Sequence, residues 1–260
     1  MKRYESKVVM VIGCAQGIGK AVAEGFAKEG AHLAMFDIQD KVHETGKLIK
    51  EQSGVKVHSG IVDISSFESC EGAAKETIDV FGRIDVLAIV SGILPAEGTV
   101  AETPVEMWNN VINVNLNGYF YMSKAIIPHM VKQKSGNIIM TGSWWGYAGR
   151  AYFASYCCSK AAVMKLTHAL AEELAGDGIR VNCICPGSIA TELHLDAIRV
   201  EADKRGITIE EMKAIDYERM ALKRAGYPSE IADAFVFLGT EQASYITGAT
   251  IDVNGGGYFR

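Results

Sequence analysis

A chain of 260 residues with 48% hydrophobic and 22% charged side chains has enough apolar content to bury a core, which excludes intrinsic disorder. Acidic residues outnumber basic ones 31 to 26, a net charge of −5, which excludes a basic nucleic-acid binder. No long uncharged apolar run exists and MKRYESKVVMVIG lacks the shape of a signal peptide, so a soluble, cytoplasmic protein without membrane contact is expected. The six cysteines form no C-x-x-C pair, so they are expected as buried free thiols, with no metal site.

The first apolar run, Val8 to Ile12, is rich in β-branched residues and reads as a buried strand ending at Gly13. Ile18, Val22 and Phe26 recur at helical spacing until Gly30. His32 to Phe36 is a second strand, followed by a polar helix over Lys41 to Gln52. Val55 to Val62 alternates as a third strand toward Asp63, Phe67 to Phe81 is helical, and Val86 to Val90 is a fourth strand. Thr103, Pro104 and Glu106 suggest a capping box opening one helix that runs to about Met130. Asn137 to Thr141, Arg180 to Cys185 and Ala249 to Val253 complete seven strands, with helices over Ser155 to Leu174 and Glu230 to Leu238 between them. Strands separated by helices require parallel crossovers, so the expectation is one α/β domain over 1–260 with a parallel seven-stranded sheet between helical layers. The segment 188–222 breaks the rhythm with weak helical character and is the candidate lid.

The turn after the first strand contains Gly13, Gln16, Gly17, Ile18 and Gly19. Three glycines at those offsets are weak by themselves. Placed between a strand and a helix, they let backbone N–H groups and the helix dipole approach a pyrophosphate. Asp37 ends the second strand, where an acidic residue accepts from ribose hydroxyls and repels a 2′-phosphate. Ile38 and Gln39 follow with no arginine, which argues for NAD over NADP. A bare turn and a solvated strand-end Asp are the plainer alternatives.

Tyr156 and Lys160 stand four apart, on one helix face. Ser143 follows the fifth strand, whose carboxyl end borders the ligand crevice of a parallel sheet. Alcohol oxidation needs a base for the hydroxyl proton, and a free tyrosine at about 10 is too weakly ionised at neutral pH. A nearby lysine cation would lower that value, and Ser143 would hold the reacting oxygen.

With these residues, Asn115 in N-V-N-L-N-G, Arg180-Val181-Asn182, Pro186-Gly187-Ser188-Ile189-Ala190-Thr191 and Asn254-Gly255-Gly256, the chain resembles the short-chain dehydrogenase/reductase family along nearly its whole length. The resemblance implies a Rossmann-type domain and hydride transfer between a nicotinamide and a secondary alcohol or ketone. It implies that Lys160 also binds the nicotinamide ribose, as Tyr156 also meets the cofactor, and that Asn115 supports a water chain. It further implies that Asp63 meets adenine and that Ile189 and Thr191 touch the carboxamide. A homodimer or homotetramer joined through the helices carrying Asn115 and Tyr156 follows from the same resemblance.

Two departures stand out. Ile12 replaces the family's usual Thr, and Ile89-Val90-Ser91-Gly92 replaces Asn-Asn-Ala-Gly. We read them as a paired polar-to-apolar swap, because losing both partners together is nearly neutral whereas losing one is not. Trp144, Trp145 and Ile93-Leu94-Pro95 are expected at the border of the substrate pocket, in the core or at a subunit interface. Arg150 and His194 are the nearest candidates to grip an anion or sugar hydroxyls. The leading expectation is an NAD-dependent dehydrogenase of a secondary alcohol of polyol or sugar type. The alternatives are a 3-oxoacyl or hydroxysteroid reductase and, remotely, a non-catalytic NAD sensor.

Overall fold

The residues of β1 (Val8–Ile12) are apolar without interruption and all buried, so this strand must be covered on both faces. The computed structural model, which describes residues 2–259, meets that demand with helices on both sides of a parallel sheet. Met1 and Arg260, the ends of the expected unit, lie outside the described residues. In chain order β1 is followed by α1 (Gly17–Lys28), β2 (His32–Asp37), α2 (Lys41–Ser53), β3 (Val57–Ile61), α3 (Phe67–Phe81) and β4 (Val86–Ile89). Then come α4 (Val105–Ile112), a π-helical turn (Asn113–Asn117), α5 (Gly118–Gln133), β5 (Gly136–Thr141), α6 (Trp145–Ala148) and α7 (Ala154–Leu174). The chain closes with β6 (Ile179–Pro186), α8 (Glu192–Arg205), α9 (Ile209–Tyr217), α10 (Pro228–Leu238) and β7 (Thr250–Val253).

The seven strands lie in the order β3-β2-β1-β4-β5-β6-β7, all parallel. The two-residue period of the strands divides the interior. Met10, Ile12, Leu87, Ile89 and Met140 pack against α3, α5 and α7, while Val9, Val11, Val86, Ala88 and Ile139 pack against α1, α2 and α10. The direction of the chain reverses between β1 and β4, so the loops after these two strands part at the carboxyl edge and leave a crevice there. No helix among the described residues is long and apolar enough to cross a membrane.

Four expectations need correction. The single helix expected from Thr103 to about Met130 is three pieces. The Thr103 hydroxyl donates to the Thr99 carbonyl, so it does not cap; Pro104 is the N-cap and the π turn interrupts the run. The weakly patterned segment 188–222 forms two helices, α8 and α9, around a separate small core of Ile198, Ala202 and Met212. The short helix α6 had no sequence signal, being a single turn after Ser143. Cys158 is exposed and Cys157 half-buried, because they fan away from the buried stripe of α7 that holds Ser155, Ser159 and Lys160; the other four thiols are buried.

The two departures from the family pattern face each other. Ile12 is fully buried, and its carbonyl accepts the Val90 N–H at 2.9 Å. Ser91 crowds Gly13, where a Cβ would lie 2.6 Å from the Ser91 nitrogen, and its carbonyl accepts the Tyr119 hydroxyl at 2.8 Å. Backbone hydrogen bonding and the pairing of Ile12 with Ile89 thus join these strand ends.

The glycine loop tolerates no added atoms at its turn. A Cβ on Gly19 would lie 1.9 Å from the Gly13 carbonyl oxygen. Gly19→Ala is expected to destabilise the fold by at least about 2 kcal/mol, seen as a lower urea midpoint at unchanged slope. An unchanged midpoint would contradict this packing.

Candidate active site

Three loops and one helix meet at the carboxyl edge of the central strands. The first loop joins β1 to α1. Gly13 sits at φ +83° and Gly17 at φ +58°, a conformation that side chains disfavour. Gln16 is the N-cap of α1 but makes no side-chain cap, and its Oε1 instead accepts Lys41 Nζ at 3.4 Å. The first-turn N–H groups from Gly17, Ile18 and Gly19 onward therefore receive no protein side chain, which suits a phosphate. Asp37 lies beside this loop and is 8% exposed. Its Oδ2 accepts the Ala15 N–H at 2.9 Å and its Oδ1 accepts the Gln39 N–H at 3.0 Å. Asp37 thus braces the glycine loop, a role that its sequence position did not disclose.

The lower edge of the crevice belongs to the loop after β6. Ile189 is buried and pairs with Gly226; Thr191 caps α8 by accepting the His194 N–H at 3.3 Å. A Cβ built on Gly17 would meet the Thr191 methyl at 3.6 Å, so the start of the expected lid overlies the glycine loop. Asp63, at the end of β3, is exposed, and its Oδ1 accepts both the Ser65 N–H (2.9 Å) and the Ser65 hydroxyl (2.7 Å). These bonds make a local turn.

Ser143, Tyr156, Lys160 and Asn115 converge. Lys160 is 3% exposed, and its Nζ donates to the Thr141 carbonyl at 2.9 Å and to the Tyr119 hydroxyl at 3.5 Å. The Nζ lies 5.8 Å from the centre of the Tyr156 ring, and a Cβ on Gly92 would sit 3.4 Å from both Lys160 Nζ and Asn115 Oδ1. The π turn carries Asn115 inward. Its Oδ1 accepts the Ile93 N–H at 2.8 Å and its Nδ2 donates to the Ile93 carbonyl at 2.9 Å, clamping the loop after β4. The same Nδ2 donates to Ser159 Oγ at 3.4 Å, and Ser159 donates to the Tyr156 carbonyl at 2.7 Å. Ser143 is buried and accepts the Trp145 N–H at 3.2 Å.

Burial dominates the electrostatics. It pushes Tyr156 up to about 12, against a hydrogen bond with Ser143 that pulls it down. It pushes Lys160 down to about 8, opposed by the Cys183 and Cys185 thiols behind it. The expected lowering of Tyr156 by the Lys160 cation is therefore not realised in this structure: the ammonium is directed to Thr141, and desolvation of the phenolate outweighs it. Sequence reasoning missed Tyr119 and Thr141 as partners of Lys160. Tyr119 stands four residues after Asn115, and that helical spacing was a usable signal.

Two candidates outside the cluster also find places. His194 faces Asp216, with Nε2 and Oδ2 3.5 Å apart, and stacks on Tyr217; burial pushes its imidazole down. Arg150 lies over the Trp145 ring at 5.8 Å. Trp144 and Trp145 line a cavity of about 310 Å³, and the Trp145 ring packs edge-on against Tyr156 at 5.8 Å. A second cavity of about 380 Å³ opens beside α6 and α7 around Lys165 and His168, and holds none of the expected site residues.

Known proteins resemble this chain in sequence and fold. The family model described as enoyl-(acyl carrier protein) reductase matches residues 13–257. A 3-oxoacyl-acyl-carrier-protein reductase of Thermotoga maritima is 34% identical over 98% of this chain and 98% of its own. The chain belongs to the short-chain dehydrogenase/reductase family. Among other members, the meso-2,3-butanediol dehydrogenase of Serratia marcescens is 34% identical over 98% of this chain and 95% of its own. A solved NAD+-bound xylitol dehydrogenase superposes with a TM-score of 0.93 at 29% identity, covering 98% of this chain and all of that one. An L-sorbose reductase from Gluconobacter frateurii, complexed with NADPH and L-sorbose, superposes at 0.93 with 32% identity, covering 98% of each. This short-chain dehydrogenase/reductase is an oxidoreductase that uses a nicotinamide cofactor to interconvert an alcohol and a carbonyl on a small molecule.

The Lys160 amine titrates in the fold at about 8, against 10.5 ordinarily. Below pH 8 the folded protein bears the full penalty of a buried cation, and the penalty fades as pH rises toward 10.5. Tyr156, raised from 10.0 to about 12, opposes folding only above pH 10. Between pH 8 and 9.5 the enzyme is expected to gain about 2 kcal/mol relative to Lys160→Met. Urea titrations at both pH values check this, and parallel curves for the two proteins would refute it.

Proposed function

We propose that this enzyme oxidises a secondary alcohol of polyol or sugar type with NAD, through Tyr156 as the base and with Ser143, Lys160 and Asn115 around it. The reading rests on one observation: Ser143, Tyr156 and Lys160 converge on the crevice whose opposite wall is the uncapped glycine loop. The xylitol and sorbose enzymes among its structural neighbours favour the polyol or sugar class. A 3-oxoacyl substrate is the second reading, favoured by the match to the Thermotoga maritima reductase.

The cofactor fits the residues present. Gly13, Gln16, Gly17, Ile18 and Gly19 would hold its pyrophosphate, Asp37 its adenosine ribose, Asp63 its adenine, and Ile189 and Thr191 its carboxamide. Tyr156 and Lys160 would meet the nicotinamide ribose. When bound in oxidised form, it supplies the hydride acceptor and a positive charge next to the site. Tyr156 takes the hydroxyl proton of the substrate, and Ser143 holds the oxygen as the carbonyl forms. Lys160 favours the phenolate once the cleft carries that added charge, and Asn115 keeps the loop after β4 open to a water path toward Lys160. Asp37 disfavours a 2′-phosphate by like-charge repulsion.

The domain is one unit, with 188–222 as its lid. The lid's own core, separate from the two main cores, supports movement as a body, and the Lys204 to Glu97 ion pair at 3.1 Å ties it to the loop after β4. The exposed apolar side chains Val105, Trp108 and Phe120 on α4 and α5 support a homodimer or homotetramer.

The test is NADH formation at alkaline pH with polyols, sugars, short diols, hydroxyacyl thioesters and hydroxysteroids. Activity is expected with one polyol or sugar class, and Tyr156→Phe is expected to lower kcat roughly 10²–10⁴-fold while still binding NADH. Activity confined to hydroxyacyl thioesters would favour the second reading. Asp37→Asn keeps an acceptor for the Ala15 N–H but removes the charge. It is expected to shift the NADPH-to-NADH affinity ratio by about tenfold or more toward NADPH; an unchanged ratio, measured by fluorescence titration, would remove Asp37 from cofactor selection.

A further inference from the structure

The described arginines divide into two groups. Arg3, Arg83, Arg199, Arg205 and Arg224 each pair with carboxylates, and Arg180 donates to the carbonyls of Leu238, Thr240 and Ile246. Arg150 and Arg219 do neither: among the described residues, no carboxylate or carbonyl receives their guanidinium groups. Yet these two, from the loop before α7 and the loop after α9, line the same cavity of about 310 Å³.

The rest of that cavity is Trp144, Trp145, Ala148, Gly149, Gly257 and Tyr258, without an acidic side chain. The nearest acid in sequence to Arg219, other than its exposed neighbour Glu218, is Asp216, whose Oδ2 lies 3.5 Å from His194 Nε2 and forms no ion pair with Arg219. Two like charges against indole walls repel each other and lack a counter-ion. An oxyanion there relieves the repulsion, and a guanidinium fork binds carboxylate or phosphate with two parallel N–H donors. The Arg150 guanidinium lies 5.8 Å from the Trp145 ring centre, within reach of a cation–π contact.

Trp145 connects the cavity to the chemistry. Its ring packs against Tyr156 at 5.8 Å, and its N–H donates to Ser143 Oγ at 3.2 Å. A substrate whose hydroxyl meets Ser143 and Tyr156 and whose chain passes Trp145 reaches the cavity that both arginines line. We propose that the cavity is an anion subsite, and that the alcohol this enzyme oxidises carries a carboxylate or phosphate at the end remote from its reacting hydroxyl. This rests on the hydride-transfer reading for the placement of the hydroxyl, but the subsite itself can be read without turnover.

The experiment titrates the NADH complex with sorbitol, gluconate, sorbitol 6-phosphate and inorganic phosphate. Tryptophan fluorescence is followed in a Trp108→Phe background, so that only Trp144 and Trp145 report. Gluconate or sorbitol 6-phosphate is expected to bind at least about 30-fold tighter than sorbitol, and to weaken with added salt. Arg150→Gln/Arg219→Gln is expected to abolish that preference. Lys47→Gln/Lys50→Gln, an equal change of charge on the remote helix α2, is expected to preserve it. Which anion binds tighter identifies carboxylate or phosphate as the recognised group. Sorbitol binding as tightly as both anions would overturn the proposal. So would anion affinity unchanged in the double variant, or no saturable anion binding below about 50 mM. Anion binding lost in the double variant, but without NADH formation from any alcohol, would overturn the hydride-transfer reading and leave the subsite standing.

Discussion

The bond from Lys160 Nζ to the Thr141 carbonyl, 2.9 Å long, holds a cation that is almost wholly buried. An ammonium in a dry interior is unstable unless its protons find acceptors, and most of the nearby structure supplies or positions them. Thr141 ends β5 and anchors its own hydroxyl on the Ile89 carbonyl at 2.8 Å. Tyr119 adds a second acceptor from α5 and donates in turn to the Ser91 carbonyl. The ends of β4 and β5, helix α5 and helix α7 are thereby linked through one charge. Displacing any of them would leave a buried group without its partner, which costs more than the bond itself contributes.

Asn115 performs a related task for the backbone. A regular helix from Val105 to Gln133 would present a different sequence of faces to the sheet. The π turn inserts an extra residue into the helical ladder and brings the amide of Asn115 inward, where it pairs with both backbone groups of Ile93. Beyond the Val90 N–H bond to the Ile12 carbonyl, the loop after β4 is consequently held by a side chain. It borders the crevice at the point where the strand order reverses, so the same interaction shapes both the fold and the site.

Rigidity and freedom are distributed unevenly. The two main cores fill both faces of the sheet with interlocked aliphatic and aromatic side chains. Helices α8 and α9 share only a small core, and the His194–Asp216 pair joins them to each other while Lys204 reaches across to Glu97. Few apolar contacts and several exposed polar ones leave this segment with less buried support than the two main cores. Beside it, the indole-lined cavity keeps two guanidinium groups at the rim of the chemistry, where charge is strengthened by apolar walls.

Local patterns determined much of this protein by themselves. Uninterrupted apolar strands such as Val8–Ile12 required cover on both faces, and their alternation with helices required a parallel sheet, because period and hydrophobicity are properties of neighbouring residues. The glycine loop, Asp37 and the Tyr156–Lys160 spacing were legible for the same reason. The interruption at Asn113–Asn117 was not, since a π turn saves no local energy and is decided by what Asn115 finds across the crevice. Nor was Thr141 legible as a partner of Lys160, or the convergence of Arg150 with Arg219 from 69 residues further along the chain. The titration of Tyr156 also belongs to the tertiary structure. Sequence placed a cation nearby, but only the packed fold determined that desolvation outweighs it, because burial is the summed effect of residues remote in the chain.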